Sequence, residues 1–99
     1  MVLFRRLLGE VLRTQRMRRG LTLREVSAEA RVSLGYISEI ERGQKEASSE
    51  LLASLCNALD MPLSDVLREV SDAVAVQERT LEIAATPMPV PAPAVPSAA

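Results

Sequence analysis

The sequence predicts an all-α protein of five helices, and three observations support this. Apolar residues recur at helical spacing along most of the chain, separated by serine, threonine, glycine and proline. Aromatic residues and β-branched runs, which strands favour, are scarce, and the only aromatics are Phe4 and Tyr36. Residues 22–43 carry the capping signals of two short helices joined by a tight turn, a pattern typical of a helix-turn-helix.

The first helix is predicted from about Val2 to Arg19, and Gly20 is the residue that stops it. Its apolar residues are spaced so that they share one face of a helix. These residues are Leu3, Leu7, Leu8, Val11 and Leu12.

The second and third helices are marked by their caps. Thr22 and Glu25 have the spacing of a capping box at the start of the second helix. Ser33 caps the third helix, which runs from Leu34 to Arg42 and ends at Gly43 in the left-handed conformation. Helices this short are unstable alone, so each must pack on its neighbours. The inward-facing residues are predicted to be Val26, Ala30, Ile37 and Ile40.

A polar connection over residues 44–47 leads to the fourth helix, which Ser48 or Ser49 caps and which runs to about Asp60. Pro62 then breaks the chain. Ser64 is the predicted cap of a fifth helix that extends to about Ile83.

The fifth helix is longer than a small domain needs. Its apolar residues follow the 3-4-3-4 spacing of paired helices, with Gln77 as a polar interruption. The first turns can pack on the domain, whereas nothing left in the chain covers the later ones. We therefore expect a symmetric dimer through about residues 64–83, with a monomeric helix bearing an exposed stripe as the alternative. The predicted interface residues are Leu67, Val70, Val74 and Leu81.

These elements define a helical domain over residues 1–83 and a tail over 84–99. The tail is uncharged and rich in alternating proline, which favours a disordered or polyproline-like chain. A ligand for an aromatic-lined groove is the alternative for this segment. No apolar run has the length of a membrane span, and the basic start is not followed by the apolar region of a signal peptide.

The composition restricts the chemistry that this chain can perform. There is no histidine, and Cys56 is the single cysteine, so the usual zinc ligands and an internal disulfide are both excluded. Cys56 lies in an apolar run and is expected to be a buried thiol in a reducing cytoplasm. The sequence has no phosphate loop and no nucleophile–base constellation. We therefore expect no enzyme activity, no cofactor, no metal and no small-molecule ligand.

The net charge of −1 conceals a strong separation of signs along the chain. Residues 1–45 hold ten Lys/Arg against five Glu, whereas residues 46–99 hold two Arg against eight Asp/Glu. A basic first half joined to an acidic second half favours a surface that meets a polyanion, with an ordinary solvated charged surface as the alternative.

The segments Leu21-Thr-Leu-Arg-Glu-Val, Val32-Ser and Ile37-Ser-Glu-Ile-Glu-Arg-Gly43 resemble the Xre-type (Cro/cI-type, lambda-repressor-like) helix-turn-helix of phage repressors and bacterial regulators. The resemblance extends over roughly Val11 to Leu67. Within this family, residues 33–59 look most like the ClgR-type activators of genes for ATP-dependent Clp proteolysis.

This resemblance implies a DNA-binding transcription regulator in the bacterial cytoplasm, associated with the nucleoid. Such a protein would bind double-stranded DNA at an inverted-repeat operator as a homodimer, and would activate protease and stress genes. An activator would have RNA polymerase as a further partner. The alternative is an Xre-type protein-interaction module, such as an antitoxin or a bridging factor.

In this family the third helix enters the major groove with its N-terminal end toward the bases. Leu34 could contact a thymine methyl, and Glu39 could accept a hydrogen bond from a cytosine amino group. Gly35 is expected to let DNA approach the backbone closely, with crowding by a neighbouring helix as the alternative. The predicted base-contact residues are Leu34, Gly35, Ser38 and Glu39.

Phosphate contacts are expected from donors at the ends of helices and from the first helix. The ring of Tyr36 is expected to pack while its hydroxyl reaches a phosphate. The full set is Arg13, Thr22, Arg24, Ser33, Tyr36, Arg42, Gln44 and Lys45.

Two further residues take their roles from the resemblance, and a third departs from the family pattern. Arg16 and Glu41 match a buried ion pair that ties the first helix to the third in this family. Arg31 stands in the turn where the family usually has glycine with left-handed backbone. Either the turn shifts to avoid that conformation, or Arg31 adopts it and gains a contact, such as one with a phosphate.

Overall fold

The computed structural model describes residues 3–85, and in this range the protein consists of five α-helices, as the sequence predicts. No part of this range is strand. Val2 and residues 86–99, most of the predicted tail, lie outside the described residues. The helices are α1 (Phe4–Arg18), α2 (Leu23–Ala30), α3 (Leu34–Glu41), α4 (Ser49–Ala58) and α5 (Leu63–Ala85).

Helix α1 begins without a side-chain cap. The Leu3 carbonyl accepts from the amides of Arg6 and Leu7, at 3.1 and 3.2 Å. Leu3 is the N-cap residue of α1 and is exposed, unlike the four apolar residues that follow it at helical spacing. Gly20, at φ 67°, follows the helix in the left-handed region, as the stop signal predicts. The buried face of α1 comprises Leu7, Leu8, Gly9, Val11, Leu12 and Gln15.

The caps of α2 and α3 are those predicted from the sequence. The Glu25 amide donates to Thr22 Oγ1 at 3.1 Å, and the Thr22 amide donates to Glu25 Oε1 at 2.8 Å. The Tyr36 amide donates to Ser33 Oγ at 3.1 Å. Gly43 has φ 75° just beyond the end of α3, so the pair is closed as expected.

Arg31 adopts the left-handed conformation between α2 and α3, with φ 58° and ψ 47°. The Val32 amide donates to the Ser27 carbonyl at 3.1 Å, and the Ser27 hydroxyl donates back to the Val32 carbonyl. These bonds fix the turn from both ends. The alternative in which the turn shifts to avoid left-handed backbone is therefore excluded.

Ser48 is the cap of α4, because its hydroxyl accepts from the Leu51 amide at 3.2 Å. The prediction that Ser64 caps α5 is wrong, since α5 already begins at Leu63. The Pro62 carbonyl accepts from the Asp65 and Val66 amides, at 3.1 and 3.3 Å. Proline has the backbone angle needed to start a helix, so no side-chain cap is required.

The core forms where all five helices meet. Its fully buried side chains come from α3, the end of α4 and the first half of α5: Ile37, Ile40, Leu59, Val66 and Val70. Val70 is only 2 % exposed, so its assignment to a dimer interface is wrong: it packs in the core of its own chain. Cys56 is buried as expected, and burial raises the pKa of its thiol.

Helix α1 approaches α3 closely at Gly9. A Cβ atom at Gly9 would overlap the carbonyl oxygen of Ile40 and lie 2.7 Å from that of Glu41. Only glycine therefore fits where α1 crosses the C-terminal end of α3.

Helix α1 is joined to α5 by a buried amide. Gln15, which is 4 % exposed, donates through Nε2 to both carboxylate oxygens of Glu69 at 2.7 Å and accepts from Arg19. Over residues 75–84 the side chains of α5 are exposed, including Val76 at 55 %, Leu81 at 39 % and Ile83 at 69 %. The later turns of α5 thus lack a cover within residues 3–85, as the sequence predicts.

Among the described residues, no helix is sufficiently long and apolar to cross a membrane.

Candidate nucleic-acid interface

Helix α3 buries one side and exposes the other. Ile37 and Ile40 are each 1 % exposed, whereas Leu34 is 37 % exposed and Gly35 lies at the surface. The two other predicted base-contact residues, Ser38 and Glu39, are half-buried at the edge of this surface. A partner that lies along this side of α3 can therefore reach all the predicted base-contact positions.

Packing within residues 3–85 does not explain why position 35 is a glycine. A Cβ atom at this position would meet no heavy atom within 4 Å, so crowding by a neighbouring helix is excluded. Glycine inside a helix costs up to about 1 kcal/mol relative to alanine. The gain that offsets this cost has to come from outside the folded chain. An incoming molecule can approach the α3 backbone closely at this point.

The N-terminus of α3 has two backbone amides without an acceptor in the described part of the chain, those of Leu34 and Gly35. Ser33 satisfies the amides of Tyr36 and Ile37 through its hydroxyl and carbonyl oxygens, each at 3.1 Å. The amides of Leu34 and Gly35 have no acceptor among residues 3–85. Their positive potential favours an anionic partner at this end of α3.

Arg42 is oriented by two neighbours at the other end of α3. Its Nη1 donates to Ser38 Oγ at 2.8 Å, and its Nη2 donates to Gln44 Oε1 at 3.2 Å. The guanidinium retains further N–H groups, and Ser38 retains its hydroxyl hydrogen, because Ser38 acts here as the acceptor. The sequence assigns all three of these residues to DNA contacts. They lie together, and Arg42 and Ser38 keep hydrogen-bond donors for such contacts.

Tyr36 has a different role from the one predicted. Its ring packs against the core as expected, but its hydroxyl donates to the Glu46 carbonyl at 3.2 Å. A tyrosine has only one hydroxyl hydrogen, so this bond competes with the predicted phosphate contact. In this arrangement Tyr36 ties α3 to the loop that follows it.

The basic first half of the chain leaves several cations unpaired. Five basic side chains are exposed and have no carboxylate oxygen within 4.0 Å among residues 3–85: Arg13, Arg18, Arg24, Arg31 and Lys45. On α5, by contrast, Arg68 is paired with Asp65 at 2.9 Å. Three of the unpaired cations, Arg13, Arg24 and Lys45, are predicted phosphate contacts. Thr22 also keeps a hydroxyl hydrogen, because its oxygen accepts in the capping box.

The Arg16–Glu41 pair holds α1 against α3, as the resemblance implies. Nε and Nη2 of Arg16 donate to the two carboxylate oxygens of Glu41 at 2.8 and 3.1 Å, with the side chains 13 % and 8 % exposed. Nη1 donates to the Leu21 carbonyl at 2.8 Å. The hydrogen bond to Glu41 raises the already high pKa of Arg16, although burial opposes this. Both groups are satisfied, so the pair is structural.

Sequence reasoning missed three residues that hold α1 and its neighbours together. Gly9, which allows the close crossing of α1 and α3, could have been noticed as a glycine inside a helical pattern. Arg5 donates to the Gly43 carbonyl at 3.0 Å, and Gln15 binds Glu69, across 38 and 54 residues of chain. Contacts at such separations leave no local signal.

No group of three or more His, Cys, Asp and Glu in residues 3–85 is arranged to hold a metal ion.

The chain matches the helix-turn-helix domain family over residues 7–70. It is 61 % identical over 77 residues to the transcriptional regulator ClgR of Mycobacterium tuberculosis, which covers 78 % of this chain and 69 % of that protein. It also resembles the crystal structure of the clp gene regulator ClgR from Corynebacterium glutamicum, with a TM-score of 0.78 and 49 % identity over 84 % of this chain and 88 % of that one.

A more distant structure shares the fold alone. The restriction-modification controller protein C.Esp1396I, solved as a tetramer with its 35-base-pair operator, gives a TM-score of 0.63 at 18 % identity, over 71 % of this chain and 97 % of that one. The family match agrees with the helix pair. The chain belongs to the helix-turn-helix family and, within it, to the transcriptional regulators related to ClgR.

Proposed function

We propose that this protein is a sequence-specific DNA-binding transcription regulator that binds an inverted-repeat operator as a homodimer. The observation that carries the proposal is the exposed N-terminal surface of α3, which combines two free amides with a glycine that has no packing neighbour among residues 3–85, in a half of the chain that carries exposed, unpaired cations. Such a surface matches the chemistry of a major groove flanked by phosphates.

Base recognition is assigned to four residues of α3 with different chemistry. Leu34 is apolar and suits a thymine methyl, and Gly35 allows the close approach that brings its neighbours to the base edges. Ser38 accepts from Arg42, so toward DNA it acts as a donor, which suits guanine O6 or N7. Glu39 can only accept and suits the amino group of cytosine.

Phosphate anchoring is assigned to the two ends of α3 and to the helices beside it. Arg42, with Gln44, provides an oriented guanidinium at the C-terminal end. Thr22 and Ser33 sit at helix N-termini, and the free cations of Arg13, Arg24 and Lys45 add charge. These contacts set affinity and register but carry little sequence information.

The homodimer is assigned to the apolar stripe of α5 that begins at Leu67 and continues to Leu81. Leu67, Val74 and Leu81 recur every seven residues, and two of the three are exposed while Val74 packs on the edge of the core. Val76 and Ile83 are also exposed, but each follows a residue of this set by two positions, about 200° around the helix, and so lies on the other side of α5. The Thr80 hydroxyl donates to the Val76 carbonyl at 3.0 Å, so it can be buried against a partner without losing a hydrogen bond. One recognition helix reads few base pairs, so specificity requires the pair.

The regulated genes are inferred from the relatives. One of them is described as a clp gene regulator, so we propose that this chain activates genes of the Clp proteolytic system in the cytoplasm, on the nucleoid. Activation would require a contact with RNA polymerase in addition to DNA.

Selection of duplex DNA by the purified protein tests this function. Recovered fragments should contain an inverted repeat with half-sites about one DNA turn apart, roughly 34 Å. Arg42→Ala should weaken binding to every sequence, whereas Arg68→Ala, on α5, should not. Recovery of random sequence with salt-insensitive affinity would refute DNA recognition and favour the protein-interaction module.

A further inference from the structure

Arg31 is a cation without an assigned role at the turn between α2 and α3. Its side chain is exposed and has no hydrogen-bond or acidic partner among residues 3–85. Its backbone is left-handed, with φ 58°. For a residue with a side chain this conformation is less favourable than for glycine.

The turn cannot relax to relieve this conformation. The Ser27 carbonyl accepts from the Val32 amide, and the Ser27 hydroxyl donates to the Val32 carbonyl, so both sides of Arg31 are fixed. Arg31 therefore has a defined position, two residues before the cap Ser33. The free amides of Leu34 and Gly35 begin directly after that cap.

We propose that Arg31 binds a DNA phosphate beside the N-terminus of α3, as an anchor additional to those assigned above. The guanidinium is free, its attachment point is rigid, and the adjoining helix end already favours anions. The contact supplies the gain that offsets the unfavourable backbone. This inference rests on the proposed DNA-binding function.

A purely structural role for Arg31 makes a different prediction. A cation at the end of α2 also interacts favourably with the helix dipole. In that case its replacement would change thermal stability but leave the salt dependence of DNA binding unchanged. The number of phosphates neutralised is read from that salt dependence.

The experiment compares four variants of the full chain on one selected operator duplex and one random duplex. Arg31→Gly removes the cation and the backbone strain, Arg31→Ala removes only the cation, and Arg31→Lys keeps a positive charge. Asp60→Gly is the matched control, because Asp60 is the other non-glycine residue with positive φ, at 55°, and lies between α4 and α5. Affinity is measured over a range of salt concentrations, and melting temperature on the same samples.

The two Arg31 variants without charge should bind both duplexes more weakly. Their slope of log affinity against log salt should be shallower by about 1.8 for the dimer, at about 0.9 per phosphate. Arg31→Lys and Asp60→Gly should keep the wild-type slope. Arg31→Gly should also melt about 4 °C above Arg31→Ala, because only glycine relieves the backbone.

Two outcomes separate failure of this inference from failure of the proposed function. A wild-type protein with salt-dependent binding, and an Arg31→Gly slope equal to it, would overturn the Arg31 contact alone. A wild-type protein without salt-dependent binding would overturn the DNA-binding function itself.

Discussion

Removal of Arg16 should sharply reduce the stability of the domain. In Arg16→Ala the Glu41 carboxylate, 8 % exposed, loses its two hydrogen bonds to the guanidinium, and the Leu21 carbonyl loses its donor. Stranding a buried charge in this way costs about 3–5 kcal/mol. For a domain of this size, that corresponds to a fall in melting temperature of at least about 12 °C.

Circular dichroism during thermal unfolding, with urea titrations at a fixed temperature, measures this loss. Arg18→Ala is the control, because Arg18 is an exposed and unpaired arginine of the same helix; it should change stability by no more than about 0.5 kcal/mol. The double variant Arg16→Met/Glu41→Leu should recover most of the loss, since it strands no charge.

The contribution of Arg16 should not depend on pH in the ordinary range. Its folded-state pKa is raised, so the stability from its charge is present below the unfolded-state pKa and is lost only as pH rises through the higher folded-state value. Arginine remains protonated at any pH at which proteins are handled. An Arg16→Ala protein that melts within about 2 °C of the wild type would show that Glu41 is not stranded, and the account of α1 packing on α3 would fail.

Three further predictions concern the two glycines of α1 and α3, the base contact of Glu39, and the apolar residues of α5. Gly9→Ala should destabilise the domain through overlap with α3, whereas Gly35→Ala should stabilise it by up to about 1 kcal/mol yet weaken DNA binding; equal melting temperatures for the two variants would contradict this. Glu39→Ala should relax preference at one base position more than it lowers affinity, tested on a panel of single-base operator variants; an unchanged preference profile would exclude the base contact. Val70→Asp should unfold the protein, whereas Leu81→Asp should give a folded monomer in sedimentation experiments, with DNA affinity lower by orders of magnitude. A dimeric Leu81→Asp protein would place the interface elsewhere.

The helix pair was predictable from the sequence because its signals are local. Thr22 with Glu25, and Ser33, cap backbone amides only three residues away, so spacing alone identifies them. The same holds for Gly43, whose left-handed backbone closes α3. Ser64 failed as a cap because Pro62 meets the same need through its backbone.

Val70 shows what periodicity cannot decide. Apolar spacing identifies the buried face of a helix, but it does not say which molecule covers that face. Val70 and Val74 on the stripe along α5 pack on the domain, whereas Leu67 and Leu81 have no cover among residues 3–85. The Gln15–Glu69 contact could not be predicted for another reason. Its partners are 54 residues apart in the chain, and contacts at that separation leave no local sequence signal.

The continuity of α5 makes its two halves thermodynamically dependent on each other. Val66 and Val70 fill the core only when α5 is helical. Leu81 and Ile83, which are exposed, belong to the same unbroken helix. A partner that binds the far half only in its helical form also favours the folded state of the near half. In the proposed dimer the melting temperature should therefore rise with protein concentration. Dilution should dissociate the dimer and, with it, lower the stability of each domain.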